Sequence, residues 1–182
     1  MKLFCVSMIL LISLTICNAQ EVQIGLRTES IAVSTNPKTT QLNDFVISSL
    51  QVNGTVFLSD KVGIDLRAGS TGNDYYKGLE LGLFSRYYYN DYYAIGGLIY
   101  HHNEKGKVDI NSTDLFLPAI GVGYHPGRHF AIEFMVENGL NKVVDHEFVA
   151  TEMVDIHTTR GYWKEINLTW ITKLGISYSF SL

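Results

Sequence analysis

The chain has 182 residues, 46% hydrophobic and 18% charged, with a formal net charge of −4 and two cysteines. That length suits one domain, and the acidic balance argues against nucleic acid as a partner. Both cysteines, Cys5 and Cys17, lie in the N-terminal segment, so the remainder has no thiol for a disulfide framework, a metal site or a nucleophile.

Met1-Lys2 leads into an apolar run from Leu3 to Ile16, followed by Cys17-Asn18-Ala19. One positive charge, about 14 apolar or small residues and a small residue before the cut describe a secretory signal peptide. The run falls short of the roughly 17–25 residues of a spanning helix. Nothing polar gives it the second face of a buried helix. Cleavage is expected after Ala19, which makes residues 1–19 the signal peptide and 20–182 the mature domain. A lipid anchor at Cys17 is the weaker reading, because Ile16 is larger than the small residue such sites carry there. Loss of Lys2 takes the formal charge from −4 to −5.

The mature segment alternates almost throughout. Val22, Ile24 and Leu26 alternate with Gln23, Gly25, Arg27 and Glu29, which predicts a strand whose two faces meet different surroundings. A polar connection, Ser34 to Asn43, precedes a second strand with Val46, Leu50, Val52, Val56 and Leu58 opposite Ser49, Gln51, Asn53 and Thr55. Ser59-Asp60-Lys61 reads as a tight turn. The third strand sets Val62, Ile64, Leu66 and Ala68 against Gly63, Asp65, Arg67 and Gly69, and Ser70 to Asp74 reads as a loop.

In the fourth strand Leu79, Leu81, Leu83, Tyr87 and Tyr89 oppose Gly78, Glu80, Gly82 and Arg86. Asn90-Asp91 predicts a two-residue hairpin turn with Tyr92 opposite Tyr89. The fifth strand, to about His101, alternates weakly, and its facing is open. A charged loop, Asn103 to Thr113, precedes a sixth strand with Phe116, Ile120, Val122 and Tyr124 opposite Leu117, Ala119, Gly121 and Gly123. Pro118 predicts a bulge or kink in it. After a turn at His125 to Arg128, the seventh strand sets Phe130, Ile132, Phe134 and Val136 against Ala131, Glu133, Met135 and Glu137. A long connection is expected from Asn138 to Tyr162.

The last strand, Lys164 to Phe180, is the clearest. Ile166, Leu168, Trp170, Thr172, Leu174, Ile176, Tyr178 and Phe180 form one face, opposite Glu165, Asn167, Thr169, Ile171, Lys173, Gly175, Ser177 and Ser179. Soluble strands usually run about 5–6 residues, whereas a strand crossing a bilayer needs about 9–11 plus extension beyond the lipid. Eight strands, with connections alternately short and long, predict an all-β, eight-stranded, antiparallel up-and-down transmembrane β-barrel. Tyr87, Tyr88, Tyr89, Tyr92, Tyr93, Tyr124, Phe130, Tyr178 and Phe180 lie near the short turns and Tyr75, Tyr76, Tyr100, Phe116, Tyr162 and Trp163 near the long loops, as two interfacial girdles would.

An eight-stranded barrel is just wide enough for side chains to fill it. The expected inward charges are Arg27, Glu29, Asp65, Arg67, Glu80, Arg86, Glu133, Glu137, Glu165 and Lys173. Enclosed charges persist when paired, so a salt-bridge network plugging the lumen is expected in place of a wide pore.

Lys173, Gly175, Tyr178 and Phe180 fit a polar-x-Gly-x-x-aromatic-x-aromatic pattern that resembles the C-terminal assembly signal of bacterial outer-membrane β-barrels. That family usually ends on the aromatic itself, whereas Ser181 and Leu182 follow here. The mature chain as a whole resembles the small OmpA/OmpX/OmpW-type outer-membrane barrels. The resemblance implies an outer-membrane location, contact with outer-membrane lipid and insertion by the barrel-assembly machinery. It also implies a role in envelope integrity, or in adhesion to an extracellular ligand or host surface through the loops, of which residues 138–163 are the expected contact region. No peptidoglycan-binding domain is expected after the last strand.

Other chemistry finds little support. Of the six histidines, His101 and His102 point to opposite faces of a strand, and no set of ligands completes a metal site around them or around His125 and His129, so girdle and loop positions are the expected places of the histidines. No cofactor motif is present: Gly121-Val122-Gly123 precedes no helix, and inward glycines make room for bulky neighbours. No histidine begins the His-x-Ser pair that lipid A deacylases share, so no catalytic residue is assigned. Asn53, Asn111 and Asn167 begin Asn-x-Ser/Thr triplets, but Asn53 and Asn167 fall inside predicted strands and chance explains them. Two alternatives stand beside the plugged barrel: a narrow conduit for small hydrophobic molecules, and a soluble lipocalin-like carrier, which would put apolar residues inside.

Overall fold

The computed structural model describes residues 21–36, 41–42, 48–73, 76–104, 113–127, 129–155 and 158–182. The expected signal peptide and Asn111 lie outside these. The strands are β1 (Glu21–Asn36), β2 (Gln41–Leu42), β3 (Ser49–Ser59), β4 (Val62–Asn73), β5 (Tyr76–Tyr89), β6 (Tyr92–Asn103), β7 (Thr113–Tyr124), β8 (Phe130–Asp155) and β9 (Thr158–Ser181). All pairings are antiparallel. Each long strand pairs with the next, and β9 returns to β1 from Gln23↔Ser181 to Asn36↔Asn167. The result is a closed ring of eight long strands, with β2 a two-residue strand beside β1.

The alternation of the sequence becomes the two faces of the wall. Along β5 buried and exposed residues alternate over the whole strand, with Leu79, Leu81 and Leu83 exposed and Glu80, Phe84 and Arg86 buried. Ile24, Leu26, Val52, Ile120, Phe134, Leu174 and Ile176 also stand on the outside. An apolar outer wall and closed backbone pairing are what hydrocarbon requires, because an unpaired N–H or C=O there costs several kcal/mol. Short turns join the strands at one end: Ser59 Oγ accepts hydrogen bonds from Lys61 N and Val62 N, and Asn90, at φ 53°, turns the chain so that Tyr89 pairs with Tyr92.

Several expectations change. The expected loop at Ser70 to Asp74 is strand as far as Asn73, and Gly72 pairs with Lys77. The long connection expected from Asn138 to Tyr162 is also strand: β8 and β9 pair up to Asp155↔Thr158 as a ribbon that continues past the last β1 partner, Asn36↔Asn167. Nine residues of β9 lie beyond that point, Thr158 to Ile166, enough for a ribbon about 25–30 Å long.

Ile166 and Leu168, expected to face lipid, are buried inside. The cause is a bulge. Ser34 pairs with Trp170 and Thr35 with Leu168, so Thr169 is skipped, and its hydroxyl donates to Ser34 O at 2.8 Å. One extra residue reverses the facing of everything beyond it. On the other flank β8 is irregular between Asn138 and Lys142; Leu140 and Asn141 have φ of 51° and 53°, and Asn138 Oδ1 accepts from Leu140 N.

Pro118, expected to bulge or kink β7, leaves its pairing with β6 free of any register shift from Asn103↔Thr113 to Tyr92↔Tyr124. The interruption falls on the neighbour. β7 and β8 pair from Ala119↔Glu137 to Tyr124↔Ile132, and the β8 bulge at Asn138 begins where Pro118 would be opposed. Proline has no N–H to offer a ladder there.

The interior has two zones. Toward the turn end and the middle it is charged. Toward the loop end it is apolar: Ile31, Val33, Leu115, Leu117, Val144, Ile166, Leu168 and Ile171 are buried together.

Candidate functional site: ion pairs across the lumen

Arg27 and Glu29 come from β1, Asp65 and Arg67 from β4, Glu80 and Arg86 from β5, Glu133 and Glu137 from β8, and Lys173 from β9. All nine are buried. Each occupies an inward position of its strand, so the alternation that faces leucines to lipid also gathers these charges.

Glu133 is the hub of a first layer. Arg67 donates to it through both guanidinium arms, Nη1 to Oε1 at 2.8 Å and Nη2 to Oε2 at 2.9 Å. Arg27 Nη2 lies 2.8 Å from Glu133 Oε1, and the Tyr93 hydroxyl donates to Oε2 at 2.8 Å. Asp65 takes Arg67 Nε and Arg86 Nη2, both at 2.7 Å, and the Thr55 hydroxyl at 3.0 Å. Arg27 Nε donates to Glu29 at 2.6 Å.

Lys173 organises a second layer, nearer the loop end. Its Nζ lies 2.6 Å and 2.8 Å from the two oxygens of Glu80 and 2.7 Å from Glu137 Oε1. Tyr76 donates to Glu80 at 3.1 Å, and Gln51 bridges Glu29 and Glu80 at 3.1 and 3.2 Å.

Strand order gives these contacts their meaning. In the ring β1-β3-β4-β5-β6-β7-β8-β9, β4 and β8 stand four places apart, as do β5 and β9. Arg67–Glu133 and Glu80–Lys173 therefore each join opposite walls. Bidentate and charge-assisted contacts of this kind are the strong ones. Chemically the set holds charge in place and fills space. Among the described residues no group of three or more His, Cys, Asp or Glu side chains could hold a metal ion.

One expected member is not in the lumen. Glu165 is exposed, because it lies on the far side of the Thr169 bulge, on the projecting ribbon. Four aromatics join the interior that sequence reasoning placed elsewhere. Tyr76, Tyr88 and Tyr93, expected in the girdles, and His101, expected at a girdle or loop position, are buried. Tyr76 stacks on His101 with ring centroids 3.7 Å apart. For two of the four, strand parity is the available signal: Tyr76 is in phase with Glu80, and Tyr88 with Arg86.

Of the four residues of the terminal pattern, Lys173 and Gly175 face inward. Tyr178 and Phe180 face outward, their rings edge-on at 5.1 Å.

A closed antiparallel ring of eight strands, apolar outside and ion-paired within, is a transmembrane β-barrel of the outer-membrane kind. No family model and no curated protein matches the sequence. Among solved structures the chain is similar to the N-terminal β-barrel domain of Pseudomonas aeruginosa OprF, at 14% identity and a TM-score of 0.49 over 89% of this chain and 98% of that one. It is also similar to the outer membrane protein OprG of the same organism (14% identity, TM-score 0.44, 90% and 97% covered). A third is Ail, the attachment invasion locus protein of Yersinia pestis (12%, 0.44, 88% and 97%). At such identities the likeness is one of fold.

Proposed function

We propose that this chain is a non-conducting barrel of the bacterial outer membrane, without catalytic activity, that carries the β8–β9 ribbon on the outer side of the cell. Its role on this reading is structural or adhesive, with the ribbon as contact surface. The observation that carries it is the pair of bridges, Arg67–Glu133 and Glu80–Lys173, each spanning the lumen from wall to opposite wall. Tyr162 and Trp163 stand exposed on the ribbon. The test is planar-bilayer recording of the refolded protein beside a variant lacking residues 145–164, together with binding of cells expressing each form to host-surface material. Silent bilayers and loss of binding on deletion support the reading; steady ion conductance by the intact chain overturns it.

A second reading, a narrow conduit for small hydrophobic molecules, is favoured by one observation. β7 and β8 stop pairing at Ala119↔Glu137, beside the apolar loop-end zone that Leu115 and Leu117 line. Uptake of an apolar dye into protein-containing vesicles above the protein-free rate would support it.

A further inference from the structure

Among the described residues, the buried charges of the lumen do not sum to zero. Arg27, Arg67, Arg86 and Lys173 supply four positive charges, against five negative ones from Glu29, Asp65, Glu80, Glu133 and Glu137. The first layer closes within itself, because the guanidiniums of Arg27, Arg67 and Arg86 meet Glu29, Asp65 and Glu133. The surplus falls on the second layer, where the single ammonium of Lys173 stands between Glu80 and Glu137. An uncompensated carboxylate away from water is costly. Two carboxyl groups that share a site relieve the cost by holding one proton between them.

Tyr76 locates that proton. Its hydroxyl lies 3.1 Å from Glu80 Oε2 and 3.3 Å from Glu137 Oε2. A phenol donates one hydrogen bond and can also accept. With both carboxyl groups ionised, one of the two contacts sets oxygen lone pairs against each other. A proton on Glu137 Oε2 satisfies both: Glu137 donates to Tyr76, and Tyr76 donates to Glu80. Glu80 is the better seat for the negative charge, since Lys173 reaches its two oxygens at 2.6 and 2.8 Å and Gln51 Nε2 of β3 donates to it at 3.2 Å. Glu137 has Lys173 at Oε1 alone. The other titratable groups leave it this role. Glu29 of β1 is held by Arg27 at 2.6 Å. His101 of β6 stacks on Tyr76, with Nδ1 3.9 Å from Glu80 Oε2, beyond hydrogen-bond reach. The buried residues of β7, Leu115, Leu117 and Ala119, are apolar.

We propose that the lumen binds one proton at neutral pH, on Glu137 Oε2, in a relay that runs from Glu137 through Tyr76 to Glu80. The experiment is infrared difference spectroscopy of the refolded barrel at pH 7, in the carbonyl-stretch region of protonated carboxyl groups. The expected result is one such band, lost in Glu137→Gln. That variant should keep its heat-modifiable shift on unboiled gels, because the amide donates to Tyr76 where the carboxyl did. Tyr76→Phe gives an independent reading: the band should move to higher frequency, as the carboxyl loses its acceptor. An empty carbonyl region in the unaltered protein overturns the proposal and would put the balancing charge on His101 or on an alkali cation. A band that persists in Glu137→Gln, or one that Tyr76→Phe leaves unmoved, overturns it too.

Discussion

Gly175 of β9 lies against the guanidinium of Arg27: a β-carbon at position 175 would stand 2.5 Å from Arg27 Cζ. The absent side chain is the space in which Arg27 lies flat to reach both Glu29 and Glu133. Gly175→Ala should therefore destabilise by about 1–3 kcal/mol, the range for overpacking a filled interior. Urea unfolding in lipid vesicles measures it, and Gly54→Ala, where a β-carbon meets nothing nearer than 3.9 Å, is the control.

The bridge from Arg67 to Glu133 predicts strong coupling between two residues 66 positions apart. Arg67→Met should cost about 3–5 kcal/mol, because it leaves buried carboxylates uncompensated. Glu133→Gln should cost at least as much, since one neutral amide oxygen replaces the two carboxylate oxygens that Arg67, Arg27 and Tyr93 share. The double variant should cost clearly less than the sum. A double-mutant cycle of unfolding free energies reads the coupling, and additivity would show the bridge to be energetically idle.

Leu140 is a non-glycine residue at φ 51° and lies exposed at the β8 bulge. Leucine in the left-handed region costs about 1–2 kcal/mol. Leu140→Gly should raise stability by about 1 kcal/mol, and Leu140→Val should lower it, because β-branched residues tolerate that region poorly. The unfolding midpoints of the two variants, moving in opposite directions, would establish the strain.

Protease added to intact cells should cut within 145–165, where the ribbon has left its β1 partner, and spare the turns at Asp60 and Asp91. The barrel should keep its gel mobility after the cut. Cleavage at the turns with the ribbon protected would reverse the proposed orientation.

Phe180→Ala should slow assembly without altering the finished barrel. Its ring is 59% exposed on the outer wall, packed edge-on to Tyr178, and fills nothing inside. Pulse-chase folding into outer membranes should show a delay, with unchanged unfolding afterwards.

Reading by twos was enough for the strands from Gln23 to Glu137 other than β6; in β5, for example, Glu80 and Arg86 stand between leucines and tyrosines with no ambiguity of face. It failed at Ile166 and Leu168. A period of two carries no mark of a skipped residue, and Thr169 announces its bulge only through a hydrogen bond to a strand 135 positions away. Glu165 was misplaced by the same shift. The tyrosines failed for another reason: a phenol suits a membrane interface and a charged interior equally, so parity had to decide, and for Tyr76 and Tyr88 it does. Tyr93 and His101 sit on β6, where Gly96 and Gly97 blur the phase. The apolar loop-end zone was hidden because Ile31, Val33, Leu115 and Val144 come from segments whose partners the sequence does not name.

The bridging of opposite walls has a consequence for the order of events during biogenesis. Arg67 waits for Glu133, and Glu80 waits for Lys173, which lies on the last strand to be made. A chain halted before β9 leaves the carboxylates of Glu80 and Glu137 without the Lys173 ammonium, and bilayer hydrocarbon rejects bare charge. Charge pairing inside the plug thus serves as a completeness check: only a chain that has added β9 brings Lys173 to these two carboxylates.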